Sequence, residues 1–236
     1  MAEAHAAAAG ASSGDLLPLF VWLSPAYPVG AFAYSHALEW AVETGDISDA
    51  VSLSGWIDDL VRHGGPFADA VFLAHAWRAV TTGDAAALHD VAELAAAFAP
   101  SRERQMETLN QGDAFIAASR VAWPNPGIEH LDAAWDGRVA YPVAVGVAAA
   151  GHKLPLAQTL SAYMTAVAAN LVSAAVRLVP LGQTDGNRVL AGASGALRAM
   201  AVEAERVPLD EVGGVALRSD IASMRHETQY TRLFRS

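Results

Sequence analysis

Apolar side chains return along this chain every third or fourth residue. Leu53, Trp56, Ile57, Leu60 and Val61 stand at i, i+3, i+4, i+7 and i+8, with Asp58, Asp59 and Arg62 on the opposite side. That spacing follows the 3.6-residue turn and predicts an amphipathic helix. Leu88, Val91, Ala92 and Ala95 repeat it, as do Val189, Ala193, Ala196, Leu197, Met200 and Ala204. Ser48, Asp84 and Ser101 stand where N-caps are needed, and Pro208 suits a first helical position. Gly64-Gly65 and Pro124-Asn125-Pro126-Gly127 break the pattern. Alternating β-branched strands are hard to find. The expectation is an all-α fold: a single helical domain of about ten helices over residues 15–236.

One apolar run raises a membrane question. Leu154 to Val176 carries no charge and is long enough to span a bilayer. It also contains Gln158, Thr159, Ser161, Thr165, Asn170 and Ser173, and much of the rest is alanine. A buried core helix suits that composition better. Residues 1–14, rich in alanine, lack the basic start and long apolar core of a signal peptide and are expected to form a flexible tail.

Hydrophobic residues make up 53% of the 236, enough for a substantial core. The net charge of −10, with 15 Lys and Arg together, argues against a protein that tracks nucleic-acid phosphates. The absence of cysteine removes disulfides, thiol nucleophiles and cysteine-based zinc sites, and fits a cytoplasmic protein. Enzyme motifs fail on inspection. Gly10-Ala11-Ser12-Ser13-Gly14 has the spelling of a nucleophile elbow but lies in the tail, without strand or helix around it. His226-Glu227 opens a zinc-protease motif whose second histidine position is Tyr230. Lys153, the one lysine, sits in no phosphate-binding loop, so the chain is not a P-loop GTPase.

Two regions stand out. Leu23 to Phe32 is built to turn, with Pro25 and Pro28 fixing φ and Gly30 permitting a tight bend. A helix is expected from about Tyr34 to Thr44, with Tyr34, Leu38, Ala41 and Val42 on its apolar face and His36, Glu39 and Glu43 on the other. That polar arc reads as a solvated face, a partner-docking patch or a transient nickel site; no resident metal site is expected. At the other end, Arg218, Arg225 and Arg232 recur every seven residues and would share one face of a continuous helix. The closing residues 226–236 carry Tyr230, Leu233 and Phe234 among arginines, the chemistry of an interface anchor. It reads either as a terminal helix docked on its own domain or, since a segment this short is seldom stable alone, as one that is mobile until a partner orders it.

Ser24-Pro25-Ala26-Tyr27-Pro28-Val29-Gly30-Ala31-Phe32, followed by Tyr34-Ser35-His36-Ala37-Leu38-Glu39, resembles the N-terminal signature of the UreF family of urease accessory proteins. Arg102-Glu103, Tyr141 to Gly146, Arg177 to Thr184 and the closing Arg232-Leu233-Phe234-Arg235-Ser236 resemble further blocks in the same order. Ala37 departs from the family's usual glycine, which in a helix would be harmless or slightly favourable. The resemblance implies an all-helical homodimer without catalytic residues or cofactor. Such a protein binds UreD (also called UreH), recruits the GTPase UreG and helps deliver nickel to apo-urease. Partner contacts are expected at Tyr230, Arg232, Leu233, Phe234, Arg235 and Ser236. Others are expected at Pro28, Gly30, Phe32, Tyr34, His36, Glu39, Glu43 and Gln183. The rival readings are an all-helical enzyme with a buried cofactor and a membrane protein built around Leu154–Val176.

Overall fold

A computed structural model describes residues 16–236; the expected tail at 1–14, and the Gly-x-Ser-x-Gly spelling within it, lie outside the described residues. Among the described residues there are eleven α-helices and no strand. In chain order they are α1 (Leu17–Trp22), α2 (Leu38–Glu43), α3 (Ala50–His63), α4 (Gly65–Thr82), α5 (Ala85–Ala97) and α6 (Arg102–Ala122). There follow α7 (Pro126–Ala134), α8 (Tyr141–Gly151), α9 (Leu156–Leu178), α10 (Gln183–Ala204) and α11 (Leu217–His226). Short 3-10 turns lie at Ala31–Ala33 and Leu209–Glu211. The expected all-α domain is therefore what forms.

The centre of the domain is α8. Every residue from Pro142 to Ala150 is buried, so this helix has no polar side at all. It packs against α4, α6 and α7, and it can do so closely because its side chains are small. A Cβ on Gly146 would stand 2.5 Å from the Leu73 carbonyl oxygen of α4, so only glycine allows that crossing. Gly112 does the same for α6: a Cβ there would meet the Val139 carbonyl oxygen at 1.9 Å.

The stripe read from α3 is buried in full, and so is the one read from α5. Asp84 and Ser101 cap α5 and α6 as expected. For α3 the cap is Asp49, one residue after Ser48: its carboxylate accepts from the Ser52 N–H at 2.8 Å, and Ser52 Oγ accepts from the Asp49 N–H at 3.1 Å. Pro208 precedes a 3-10 turn instead of opening a helix.

The uncharged run becomes α9, the one described helix long and apolar enough to cross a membrane by length and composition. Half of its most apolar window is buried inside the domain. Its Thr159, Ser161 and Thr165 hydroxyls donate to carbonyls one turn back, and Asn170 donates to the Ala31 carbonyl at 3.2 Å. The helix is thus built into the core, as its composition suggested.

Candidate functional site

The expected helix at Tyr34–Thr44 does not begin at Tyr34. His36 and Ala37 both take left-handed φ, +52° and +62°, and α2 starts only at Leu38. The reversal turns the polar arc inward. His36 and Glu39 are each 9% exposed, and Glu43 alone of the three is open to solvent. His36 and Glu39 are therefore not a solvated face, and no group of three or more metal-ligating side chains forms among the described residues.

What these residues hold is the chain's closing segment. The Glu39 carboxylate accepts the Leu233 N–H at 2.6 Å and the Phe234 N–H at 2.9 Å. Ser35 donates its N–H and its hydroxyl to the Ser236 carbonyl oxygen, at 2.7 and 2.6 Å. The Arg235 N–H reaches the Ala33 carbonyl at 2.8 Å. Phe234 is buried, with the Arg177 guanidinium 4.4 Å above its ring. Arg177 also donates to the Phe32 carbonyl at 3.0 Å, which fixes the turn against the strap. In this structure the segment is thus docked on its own domain, not loose as expected from its length.

A chain of charges supports the strap from beneath. His226, fully buried at the end of α11, points Nδ1 at Glu103 (2.6 Å) and Nε2 at Glu39 (3.4 Å). Arg232 donates to the other Glu103 oxygen at 2.5 Å. Gln229 donates to Glu43. Deeper still, Glu107 accepts from Arg104 (2.5 Å), from His36 Nε2–H (2.7 Å) and from the Ser236 hydroxyl (2.6 Å). Burial pushes the Glu107 carboxyl up, but Arg104, His36 and the Ser236 hydroxyl together overcome it and hold the group well below the usual carboxylate range. Glu103, Arg104 and Glu107 share the first two turns of α6, whose start is set by the Ser101 cap.

The sequence-derived contact residues divide on this geometry. Tyr34, His36 and Glu39 face inward in the strap's seat, and Phe234 and Ser236 are the strap residues buried against it. Tyr34 accepts from Asn110 at 3.2 Å. Tyr230, Leu233, Arg235, Phe32 and Pro28 face solvent, and Gly30 supplies a left-handed bend (φ +73°). Arg232 is part-exposed and spent on Glu103. Gln183 opens α10, exposed, with no side-chain bond to the strap among the described residues. The arginine heptad does not survive: α11 ends at His226, so Arg232 leaves the helix that carries Arg218 and Arg225. The sequence names Glu103 only within a family-like block and His226 only within a failed zinc motif, and it gives no sign of Glu107, because the role of all three depends on residues more than a hundred positions away.

The UreF family model matches residues 47–194. The chain is 55% identical over 237 residues to a urease accessory protein UreF of Rhodopseudomonas palustris strain HaA2, covering all of both sequences. It is 54% identical to the one of Xanthobacter autotrophicus strain ATCC BAA-1158 / Py2, covering 100% of this chain and 98% of that one. It is 52% identical over 228 residues to that of Bradyrhizobium diazoefficiens, covering 97% and 94%. The chain belongs to the UreF family. The segments at Ser24–Glu39 and Arg232–Ser236, which carry the resemblance and lie outside the matched residues 47–194, meet in one place, the strap and its seat. Ala37, where the resemblance implies a glycine, is the second left-handed residue, and alanine is strained there. The expectation that this change is harmless is corrected accordingly.

Proposed function

We propose that this chain acts as a non-catalytic adaptor in the nickel loading of urease. It binds UreD/UreH, recruits and regulates the GTPase UreG, and engages apo-urease through that assembly, as a homodimer in the cytoplasm. Nickel is the cargo of the process, not a resident metal of this chain. The reading rests on the naming of the relatives as urease accessory proteins and on the surface the docked strap offers. Tyr230, fully exposed, and Leu233, 68% exposed, stand on the outer side of the strap; Phe32, 67% exposed, lies in the turn beneath it. Exposed aromatic and aliphatic groups beside arginine are what interface anchors are made of. An adaptor changes its partners only through unequal affinity for their states, so the surface itself is the active element.

The test is genetic complementation in a urease-positive host lacking this gene. Wild-type chain is expected to restore urease activity and the nickel content of urease. The double variant Tyr230→Ala, Leu233→Glu is expected to leave urease protein abundant but poor in nickel. Full nickel occupancy without the chain would contradict the proposal.

A further inference from the structure

A cavity of about 340 Å³ lies beside the strap's seat, between the α3–α4 corner, the link from α5 to α6, and α11. That volume falls in the range of small-ligand sites. Leu60, Pro66 and Phe98 supply apolar wall. Two carboxylates, Asp69 and Asp220, come to it from different elements. Asp69 accepts one side-chain hydrogen bond among the described residues, from the Tyr163 hydroxyl at 3.3 Å. Arg104 and His36 also reach the cavity, but both are spent on Glu107. Asp69 thus has no ion-pair contact of its own among the described residues, although Arg104 and His36 attract it from nearby. Burial raises the Asp69 carboxyl, and Arg104, His36 and the Tyr163 hydroxyl only partly offset it, while Glu107 adds to the rise. Burial raises Asp220 as well. A carboxylate only partly compensated, in an apolar-walled hollow, is the complement of a positive group on an apolar stem.

We propose that this cavity binds an organic cation, an alkylammonium or alkylguanidinium group on a short carbon chain, with the cation at Asp69 and the stem along Leu60, Pro66 and Phe98. Such a group comes either as a free amine or as the side chain of a lysine or arginine from another protein. Gly65 opens onto the cavity: a Cβ there would find nothing nearer than Arg104 at 3.9 Å, so a larger side chain fits the backbone and fills the space.

The test uses the full chain, isotope-labelled for amide NMR, at constant ionic strength. n-Butylammonium is expected to give saturable shifts at residues 64–69, 97–100 and 219–223. n-Butanol, of the same shape without charge, is expected to bind about tenfold more weakly or worse, the loss of one charge-assisted hydrogen bond. Asp69→Asn should weaken n-butylammonium by a similar factor, and Gly65→Leu should abolish the shifts. Binding should also weaken as pH falls through the raised pKa of Asp69. Should Asp69→Asn not fold, Gly65→Leu and the n-butanol comparison carry the same reading. Acetyl-lysine methylamide separates the sources: matching shifts point to a protein side chain, and shifts from n-butylammonium alone point to a free amine. Equal affinity for n-butanol, no saturable shift, or binding that survives Gly65→Leu overturns the proposal.

Discussion

The carboxylate of Glu39 accepts the backbone N–H of Phe234 at 2.9 Å, joining residues 195 positions apart. With the Leu233 N–H on its other oxygen, that carboxylate takes up two donors of a segment that has no helix or sheet to satisfy them. Glu39→Ala is expected to free the strap and lower the unfolding free energy by about 3–6 kcal/mol, the worth of two hydrogen bonds to a charged acceptor. Denaturant unfolding measures the loss, and faster proteolysis after Arg232 or Arg235 reports the release. Deletion of Arg232–Ser236 should cost at least as much, because it also strips Glu107 and Ser35 of partners.

Ala37→Gly should act in the opposite direction. The left-handed backbone at Ala37 costs alanine roughly 1–2 kcal/mol, and glycine escapes that cost at some price in unfolded-state entropy. A net gain of about 0.5–1 kcal/mol is expected. The corresponding change at Ala41, in the body of α2, should instead destabilise by about 0.5–1 kcal/mol. Equal responses at the two positions would remove the strain argument.

Those two residues also mark the limit of what the sequence conveys. The stripes of α3 and α5 were legible because burial in an amphipathic helix is a local pattern repeated many times. The core placement of α9 was legible from its hydroxyls, which bond within their own helix. The seat of the strap was not. Local spacing continues α2 back to Tyr34, since nothing in Tyr34-Ser35-His36-Ala37 forbids a helix. The left-handed turn at His36 and Ala37 is imposed by tertiary bonds, from Ser35 to Ser236 and from His36 to Glu107. The glycine that the resemblance implies at position 37 is the available signal. The closing segment misled for a related reason: a short segment of mixed Tyr, Arg and Phe reads as loose until carboxylates on α2 and α6 are known to face it.

The charge cluster predicts a definite pH response. Glu107 has a folded-state pKa depressed below its ordinary value of 4.5. Its contribution is therefore present in full above that value and is lost as pH falls through the depressed one. Glu107→Gln leaves Arg104 buried against a neutral amide and should cost about 3–5 kcal/mol near pH 7. The gap between variant and wild type should narrow as pH drops below about 4. A gap independent of pH would assign the cost to shape, not charge.

The purified chain should turn over no GTP, since its one lysine, Lys153, lies between His152 and Leu154 with no glycine-rich loop before it. Turnover that copurifies with the chain through successive steps and scales with its amount would contradict this.

The central claim is that the docked strap presents an outward surface to the accessory partner UreD/UreH. Calorimetric titration of the purified chain with that partner tests it directly, comparing wild type with Tyr230→Ala, Leu233→Glu. Both substitutions lie on exposed side chains, so the variant should keep the wild-type circular dichroism and melting temperature. Affinity should fall about thirtyfold or more, the loss of a principal interface anchor. Unchanged affinity in a variant whose strap remains docked would contradict the account.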